Sequence, residues 1–496
     1  MYQSSRGNLD SQSAKQAIAS GMVPGGGLFV PTVIPSLAWQ DLQELSYAEV
    51  AGKLMGLYLP DFTTASLERA CGVYKKGTFA GANPAPVVDV GEFGVLELWH
   101  GPTAAFKDMA LQVLPYLLSE SIQSVNKGSE VLILVATSGD TGKAALEGFK
   151  NVEGTQIAVF YPRGGVSAVQ ERQMTTVDGQ NTFVVGVDGN FDQCQTAVKE
   201  IFASVELKEK LARQNKVFSS ANSINWGRLL PQIVYYFWAY LQAISKGKVS
   251  PGQPLNVVVP TGNFGNILAA YYAKQMGLPL GRLICASNQN NVLSDFLATG
   301  IYQAKREFRL TMSPSMDILI SSNLERFLYE MNGRDSELIN AWFARLTKEQ
   351  EFTVDRQTLA ASQAQLAGGW ANEEETLATI RHVFRDYDYV LDPHTAVAVK
   401  VYEDYRRQTG DDRYTIVAST ASPFKFASSV LTGLTGRDYN GDALDALRLL
   451  SQTTGWEIPR GLRDLDLLAE QSIWYSRPNE IAGLINRLFI PSRLSQ

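Results

Sequence analysis

The stretch VLILVATSGDTGKAALEGF, residues 131–149, decides the fold. An apolar run is followed by a glycine-rich loop and then by apolar residues at helical spacing. The same order recurs along the chain from residue 95 onward, which predicts an α/β fold with mostly parallel sheets. The predicted strands are almost continuously apolar, as is typical of strands covered by helices on both faces. They comprise residues 95–99, 131–136, 157–161, 183–187, 255–259, 283–286 and 414–418.

The loop after the strand at 131–136 predicts an anion site, because ligands of open α/β sheets bind beyond the carboxyl ends of the strands. Its hydroxyls and glycine amides lead into a helix and suit a carboxylate or phosphate group. A nucleotide P-loop is excluded, since Thr137 stands where the first glycine would be and Ala144 replaces the magnesium-binding Ser or Thr. An ordinary helix cap is the alternative. The candidate residues are Ser138, Asp140 and Thr141.

The stretch HGPTAAFKD, residues 100–108, places Lys107 in the opening turn of a helix that we predict over residues 104–118. An ammonium group there faces the positive end of the helix dipole, which disfavours the protonated form by roughly 0.3 to 1 kcal/mol. A neutral lysine condenses with an aldehyde to give a Schiff base, and pyridoxal phosphate is the cofactor that presents an aldehyde. The alternative is a surface lysine on an amphipathic helix.

Two further segments predict anion-binding sites. PTGNFGN, residues 260–266, follows a predicted strand, and its glycines let backbone amides close around a phosphate; a tight strand-to-helix turn is the alternative. It lacks the G-x-G-x-x-G spacing of a dinucleotide site. SSANSINWGR, residues 219–228, combines an arginine with small polar side chains that suit a phosphate-bearing substrate, with a helix cap as the alternative. The candidates are Gly262, Asn263, Phe264, Gly265 and Asn266 in the first segment and Asn222, Ser223 and Arg228 in the second.

A hydroxyl beyond the predicted strand at 414–418 is a further candidate. Thr420 lies where it could face the pyridine nitrogen of a bound cofactor without protonating it. Most hydroxyls at such places belong to turns or caps, which is the alternative here.

Composition and charge exclude several classes of function. The 44 basic and 50 acidic residues give a net charge of −6, which argues against a general nucleic-acid binder. The three cysteines and three histidines lie far apart, so we expect no disulfide framework, no metal site and a cytoplasmic protein. No uncharged apolar run approaches the ~20 residues that span a bilayer, so we expect no membrane association.

Taken together, these segments resemble the threonine synthases, a pyridoxal-phosphate family of fold type II, in their longer form with an extra N-terminal domain. The resemblance covers nearly the whole chain. It rests on YQSSRG, GGGLFVP, LWHGPTAAFKD, TSGDTG, NSINWGR, PTGNFGN, SPSMDILISSNLER, DPHTA and the STA of residues 419–421, in that order.

The resemblance implies two open parallel-sheet α/β lobes behind an N-terminal accessory domain at residues 1–94. A smaller lobe at 95–220 carries the lysine segment and the SGDTG loop, and a larger lobe at 221–496 carries the cofactor phosphate loop. Lys107 is then the Schiff-base lysine, Gly262 to Asn266 hold the phosphate of pyridoxal phosphate, and Thr420 faces its pyridine nitrogen. Asp140 would lie against the cofactor and Ser138 and Thr141 against the substrate, whose phosphate would meet Asn222, Ser223 and Arg228.

The implied reaction converts O-phospho-L-homoserine and water to L-threonine and phosphate, by γ-elimination and β-addition of water, in a monomeric enzyme. One departure concerns substrate discrimination, because Ser422 and Phe424 stand where the family usually reads STAHPAKF. The rivals are a phospho-lyase, or a serine or threonine dehydratase of the same fold, that releases 2-oxobutyrate. A non-catalytic binding protein on this scaffold is the third alternative.

Overall fold

The computed structural model describes residues 1–75, 77–137 and 139–490, and its N-terminal region has more residues in helices than in strands. Ser13 and Ser46 begin its first two helices with reciprocal capping boxes, which satisfy free N–H groups of the first turn. The Tyr2 hydroxyl donates to the carbonyl of Tyr58, and its ring lies 5.4 Å from that of Trp226, so this region packs on the body of the protein. Its elements are β1 (Tyr2–Ser4), α1 (Ala14–Ser20), β2 (Phe29–Pro31), α2 (Tyr47–Tyr58), α3 (Thr64–Cys71), β3 (Val87–Val90) and β4 (Phe93–Glu97).

The next part of the chain alternates strands and helices, as predicted. Its elements are α4 (Asp108–Leu111), α5 (Leu114–Val125), β5 (Glu130–Ala136), α6 (Asp140–Phe149), β6 (Thr155–Pro162), α7 (Ala168–Thr175), β7 (Thr182–Val187), α8 (Phe191–Ala203), α9 (Val205–Ala212) and β8 (Lys216–Ser219).

The remaining part opens with a long apolar helix that is buried along most of its length. Its elements are α10 (Trp226–Ser245), β9 (Leu255–Pro260), α11 (Gly265–Gln275), β10 (Leu280–Ser287), α12 (Val292–Thr299), β11 (Ile301–Gln303), α13 (Leu324–Met331), α14 (Ser336–Glu349), β12 (Glu351–Thr353), α15 (Arg356–Gln365), β13 (Leu366–Trp370), α16 (Glu373–Tyr387), α17 (Pro393–Thr409), β14 (Thr415–Ser419), α18 (Ala427–Thr435), α19 (Ala443–Thr454), β15 (Ile473–Ser476) and α20 (Ile481–Phe489).

Two parallel sheets organise these elements and confirm the predicted α/β class. One has the order β15-β7-β6-β5-β8 and is parallel throughout. The other has the order β13-β10-β9-β14-β4-β3 and is parallel except for the β3–β4 pair. Two short antiparallel pairs, β1–β2 and β11–β12, lie apart from them. The chain exchanges strands between the sheets, since β4 pairs with β14 and β15 pairs with β7.

Each of the seven predicted strands overlaps a strand of the two sheets, although the first begins and ends two residues earlier, at Phe93–Glu97. The helix predicted over residues 104–118 was wrong in extent, because Ala104 has a left-handed φ of 56° and Ala105 forms a bridge with Ala421. The helix then divides into α4 and α5, since Pro115 has no N–H to donate to the carbonyl four residues earlier. In the described ranges, we find no helix long and apolar enough to span a membrane.

Candidate active site

Lys107 lies just before α4, between the two sheets, and its side chain is buried. Its Nζ is 3.6 Å from Asp140 Oδ2 and 3.5 Å from Ser315 Oγ. Burial lowers the pKa of this amine to about 8, with help from the nearby Arg228 and Lys425 cations and against the attraction of Asp140. The sequence analysis expected a perturbed lysine here on the ground of a helix dipole, and burial is the largest cause that the structure shows.

Asp140 begins α6 and faces Lys107 from the opposite sheet. Its Oδ1 accepts from Lys425 Nζ at 2.8 Å and from Gln170 Nε2 at 3.0 Å. Burial alone would raise the pKa of the Asp140 carboxyl, but the Lys425 and Lys107 ammonium groups hold it well below its usual range. Sequence reasoning missed Lys425; the one signal was a lysine within the otherwise apolar PFKF turn.

Ser315 joins several parts of the site and was not singled out from the sequence. Its Oγ lies between Lys107 Nζ and Asp140 Oδ2, to which it donates at 3.4 Å. Its backbone N–H donates to His394 Nε2 at 3.2 Å, and His394 Nδ1 is 2.8 Å from Asp392 Oδ1. The DPHTA segment therefore holds the SPSMD turn against the lysine.

The loop between β9 and α11 presents a row of unpaired amides. Among the described residues, we find no hydrogen-bond acceptor for the backbone N–H groups of Gly262 through Asn266. Phe264 has a φ of 63°, which turns the chain sharply into the helix and lets the successive N–H groups converge. The Oδ1 of Asn266 accepts from the hydroxyls of Tyr235 and Tyr236, and its buried Nδ2 has no hydrogen-bond partner among the described residues. The backbone of this loop, together with the start of α11, has the unpaired donors that suit a phosphate dianion.

The residues predicted for a substrate phosphate lie beside this loop. Arg228 is buried in α10, and one of its Nη atoms donates to the carbonyl of Ala221 at 2.7 Å. Burial lowers the pKa of its guanidinium to about 10. No carboxylate of the described chain lies within 4.0 Å of Arg228, although most buried arginines are paired. A second anion would satisfy the cation at this point.

Asn323 links the two anion sites. Its Nδ2 donates to the carbonyls of Ser223 and Asn263, at 3.3 Å and 3.0 Å. Asn222 adjoins Ser223, and its N–H donates to Ser220 Oγ at 3.2 Å. The structure therefore brings the segment at 219–228 next to the loop at 260–266.

Thr420 lies next to the lysine segment, since its carbonyl accepts from the N–H of Phe106 at 2.8 Å. Within the described residues we find no hydrogen bond to its hydroxyl, which leaves that group available to a ligand. Thr141 is the second residue of α6 and is half-buried, whereas Ser138 lies outside the described residues.

The two residues that depart from the family pattern, Ser422 and Phe424, are buried. Ser422 Oγ accepts from the N–H of Phe424 at 3.3 Å and begins a 3-10 turn. The ring of Phe424 is 1 % exposed and packs in the core that includes Leu462 and Leu465. In the described chain, no group of three or more His, Cys, Asp or Glu side chains is placed to hold a metal ion.

Comparisons with known proteins agree with this geometry. The chain matches the family described as "Pyridoxal-phosphate dependent enzyme" over residues 89–420, "Threonine synthase N terminus" over 1–72 and "Threonine synthase, C-terminal" over 395–453. It is 41% identical over 449 residues to threonine synthase-like 1 of Homo sapiens, covering 88% of this chain but only 60% of the human protein. It is 37% identical over 471 residues to threonine synthase of Saccharomyces cerevisiae, covering 88% of this chain and 89% of the yeast protein.

A solved structure agrees over almost the full length. PLP-bound threonine synthase from Brucella melitensis superposes with a TM-score of 0.86 at 35% identity and covers 98% of both chains. The cofactor of the family is pyridoxal phosphate, and the residues present fit it: a buried amine of lowered pKa suits its aldehyde, and the unpaired amides of residues 262–266 suit its phosphate. The chain therefore belongs to the threonine synthase family of pyridoxal-phosphate-dependent enzymes of fold type II.

Proposed function

We propose that the protein is a threonine synthase that converts O-phospho-L-homoserine and water to L-threonine and phosphate. The observation that carries this proposal is Arg228, a buried cation without a carboxylate partner in the described chain, close enough to Lys107 to lower the pKa of its amine. The unpaired amides of residues 262–266 already suit the cofactor's phosphate. The second anion site therefore favours a substrate that brings a phosphate of its own.

The bound cofactor supplies an aldehyde that joins the substrate amine and a ring that stabilises negative charge on the neighbouring carbons. The amides of residues 262–266 would hold its phosphate, and the Thr420 hydroxyl would donate to its unprotonated ring nitrogen. Lys107 Nζ, in its neutral form, takes the proton from the substrate Cα and moves a second proton at Cβ while phosphate leaves Cγ. Asp140 and Ser315 contact this amine from one side and orient it.

Arg228, Asn222 and Ser223 orient the substrate phosphate. We propose that Arg228 also keeps the released phosphate beside Cβ, where it helps to deprotonate the attacking water. Arg228→Lys keeps the charge but loses the planar pair of donors, so it should change the ratio of threonine to 2-oxobutyrate as well as the affinity for the substrate. A change in affinity with an unchanged ratio would argue against this role for the phosphate.

A phospho-lyase is the nearest alternative function. It would release phosphate from the same substrate but hydrolyse the product to 2-oxobutyrate. A serine or threonine dehydratase would use an unphosphorylated amino acid, for which Arg228 would have no ligand. A non-catalytic binding protein on this scaffold would have no need of an amine whose pKa is lowered to about 8.

Substrate choice and product identity distinguish these alternatives. The protein is assayed with O-phospho-L-homoserine, L-serine and L-threonine, and threonine, 2-oxobutyrate and phosphate are measured. We expect threonine and phosphate from the first substrate alone. Arg228→Met should lower kcat/KM for it by about 10- to 150-fold, because charge-assisted hydrogen bonds contribute about 1.5 to 3 kcal/mol. 2-Oxobutyrate as the main product, or turnover of serine, would overturn the proposal.

We also propose that the enzyme works as a monomer in the cytoplasm, with its two α/β lobes dividing near residue 220. The three cysteines are buried and unpaired, which suits a reducing compartment. Light scattering of the purified protein tests the monomer.

A further inference from the structure

Lys425 is a buried cation for which the proposed reaction has no use. It lies in the 3-10 turn Pro423–Phe426 after β14, and its side chain is fully enclosed. Its Nζ is 2.8 Å from Asp140 Oδ1 and donates to the carbonyl of Thr103 at 3.1 Å. One lysine thus joins α6 to the turn that leads into Lys107. Removing an ammonium ion from water is costly, so such a position calls for a specific role.

The arrangement divides the two oxygens of Asp140 between two tasks. Lys425 Nζ and Gln170 Nε2 both bind Oδ1. Oδ2 is left to face Lys107 Nζ at 3.6 Å and to accept from Ser315 Oγ. Rotation of the carboxylate would break both contacts of Oδ1 at once, so Lys425 fixes the direction in which Asp140 presents its charge.

We propose that Lys425 is a positioning residue that keeps Asp140 ionised and aims its Oδ2 at the Lys107 amine. Without this partner, a carboxylate that is 4 % exposed would have one distant cation and the cost of its own burial. With Lys425 in place, the charges of Asp140 and Lys425 nearly cancel, and Asp140 Oδ2 faces the Lys107 nitrogen in a fixed direction. The inference rests on the proposed function for the role of Lys107, but not on the identity of the substrate.

Several other charged or titratable groups face this cluster and contribute to the electrostatic potential at Lys107 and Asp140. Lys107 is opposed by the Arg228 cation from α10, and Ser315 is held by the His394–Asp392 pair from α17. Asp108 and the Lys143–Glu147 pair lie close to Lys425 on the α4 and α6 sides. The test leaves all of these residues unchanged.

Visible absorbance against pH, measured on the full-length protein with its cofactor bound, tests the proposal. The cofactor linked to Lys107 changes colour when the lysine nitrogen loses its proton, and this needs no substrate. Lys425→Met leaves Asp140 buried without its main ion-pair partner, so the carboxylate takes up a proton or turns away from Lys107, and the midpoint should fall by up to about one to three pH units. The double variant Asp140→Asn with Lys425→Met should lower it below the wild-type midpoint, because the attracting carboxylate is gone and burial remains.

The fall in Lys425→Met separates positioning from a simple charge effect, because removal of the Lys425 cation with Asp140 still ionised and in place would raise the midpoint. The double variant is also balanced in charge, so it remains informative if the single variant does not fold. Lys274→Met is the matched control: Lys274 is a half-buried lysine bonded to the carbonyl of Gly281, and its loss should leave the midpoint unchanged. A midpoint of Lys425→Met at or above the wild-type value, or a midpoint of the double variant that does not fall, would overturn the proposal. Failure to form threonine while the midpoints move as expected would overturn the proposed function alone.

Discussion

Gly262→Ala gives a direct perturbation of the cofactor's phosphate site. A Cβ at this position would lie 2.4 Å from the carbonyl oxygen of Ser315, whereas an ordinary contact is 3.4 Å or longer. The loop must therefore move by about 1 Å relative to the turn that holds Ser315, since both partners are backbone. Overpacking of this kind costs about 1 to 3 kcal/mol. If this overpacking destabilises the cofactor-bound protein relative to the cofactor-free protein, the Kd for pyridoxal phosphate rises by about 5- to 150-fold.

The assay is a titration of the cofactor-free protein with pyridoxal phosphate, followed by visible absorbance. Gly52→Ala is the matched control, because a Cβ at Gly52 in α2 would meet nothing within 4 Å. This control should bind the cofactor as the wild type does and gain up to about 1 kcal/mol of helix stability. If Gly262→Ala binds pyridoxal phosphate with wild-type affinity, the phosphate does not lie on the amides of this loop.

Lys107, Phe424 and Gly461 each give a further prediction. In the cofactor-free protein, the rate at which Lys107 takes up pyridoxal phosphate should rise with pH and level off above about 8, because only the neutral amine reacts; a stopped-flow rate still climbing tenfold between about pH 9 and 10 would contradict this. Phe424→Ala should lower the free energy of unfolding by about 3 to 5 kcal/mol and leave the product ratio unchanged; a changed ratio at full stability would mean that the ring faces the substrate. Gly461→Ala should destabilise the fold by about 1 to 3 kcal/mol or more, because its Cβ would lie 1.9 Å from the carbonyl oxygen of Pro102, whereas Gly483→Ala, with nothing within 4 Å, should not; equal thermal midpoints would argue against this contact.

The sequence predicted best what is decided locally. The strands β5 and β9 were predicted to within one residue at each end, because an apolar run that stops at glycines and small polar residues has few other solutions. The loops that follow them were chosen because parallel strands place their carboxyl ends at one edge. Family motifs added the cofactor. Lys107 was also singled out from a local signal, because it is a cation at the start of a predicted helix.

What the sequence did not give depends on contacts between distant segments. Lys425 reads as a lone cation in a turn, and only the approach of α6 turns it into the partner of Asp140. Ser315 belongs to a quoted motif, yet its place beside Lys107 requires the fold to bring the two segments together. The pKa of Lys107 was attributed to a helix dipole, whereas its burial between two sheets is the larger cause. The helix α4 ends at residue 111 because of Pro115, and the apolar spacing of the sequence does not show this.

The proposed threonine synthase reaction at Lys107 is tested most directly by a time course with O-phospho-L-homoserine in which threonine and phosphate are measured together. We expect equal amounts of the two products from the wild type and none of either from Lys107→Ala. Phosphate released without threonine, or threonine formed by the Lys107→Ala variant, would contradict it.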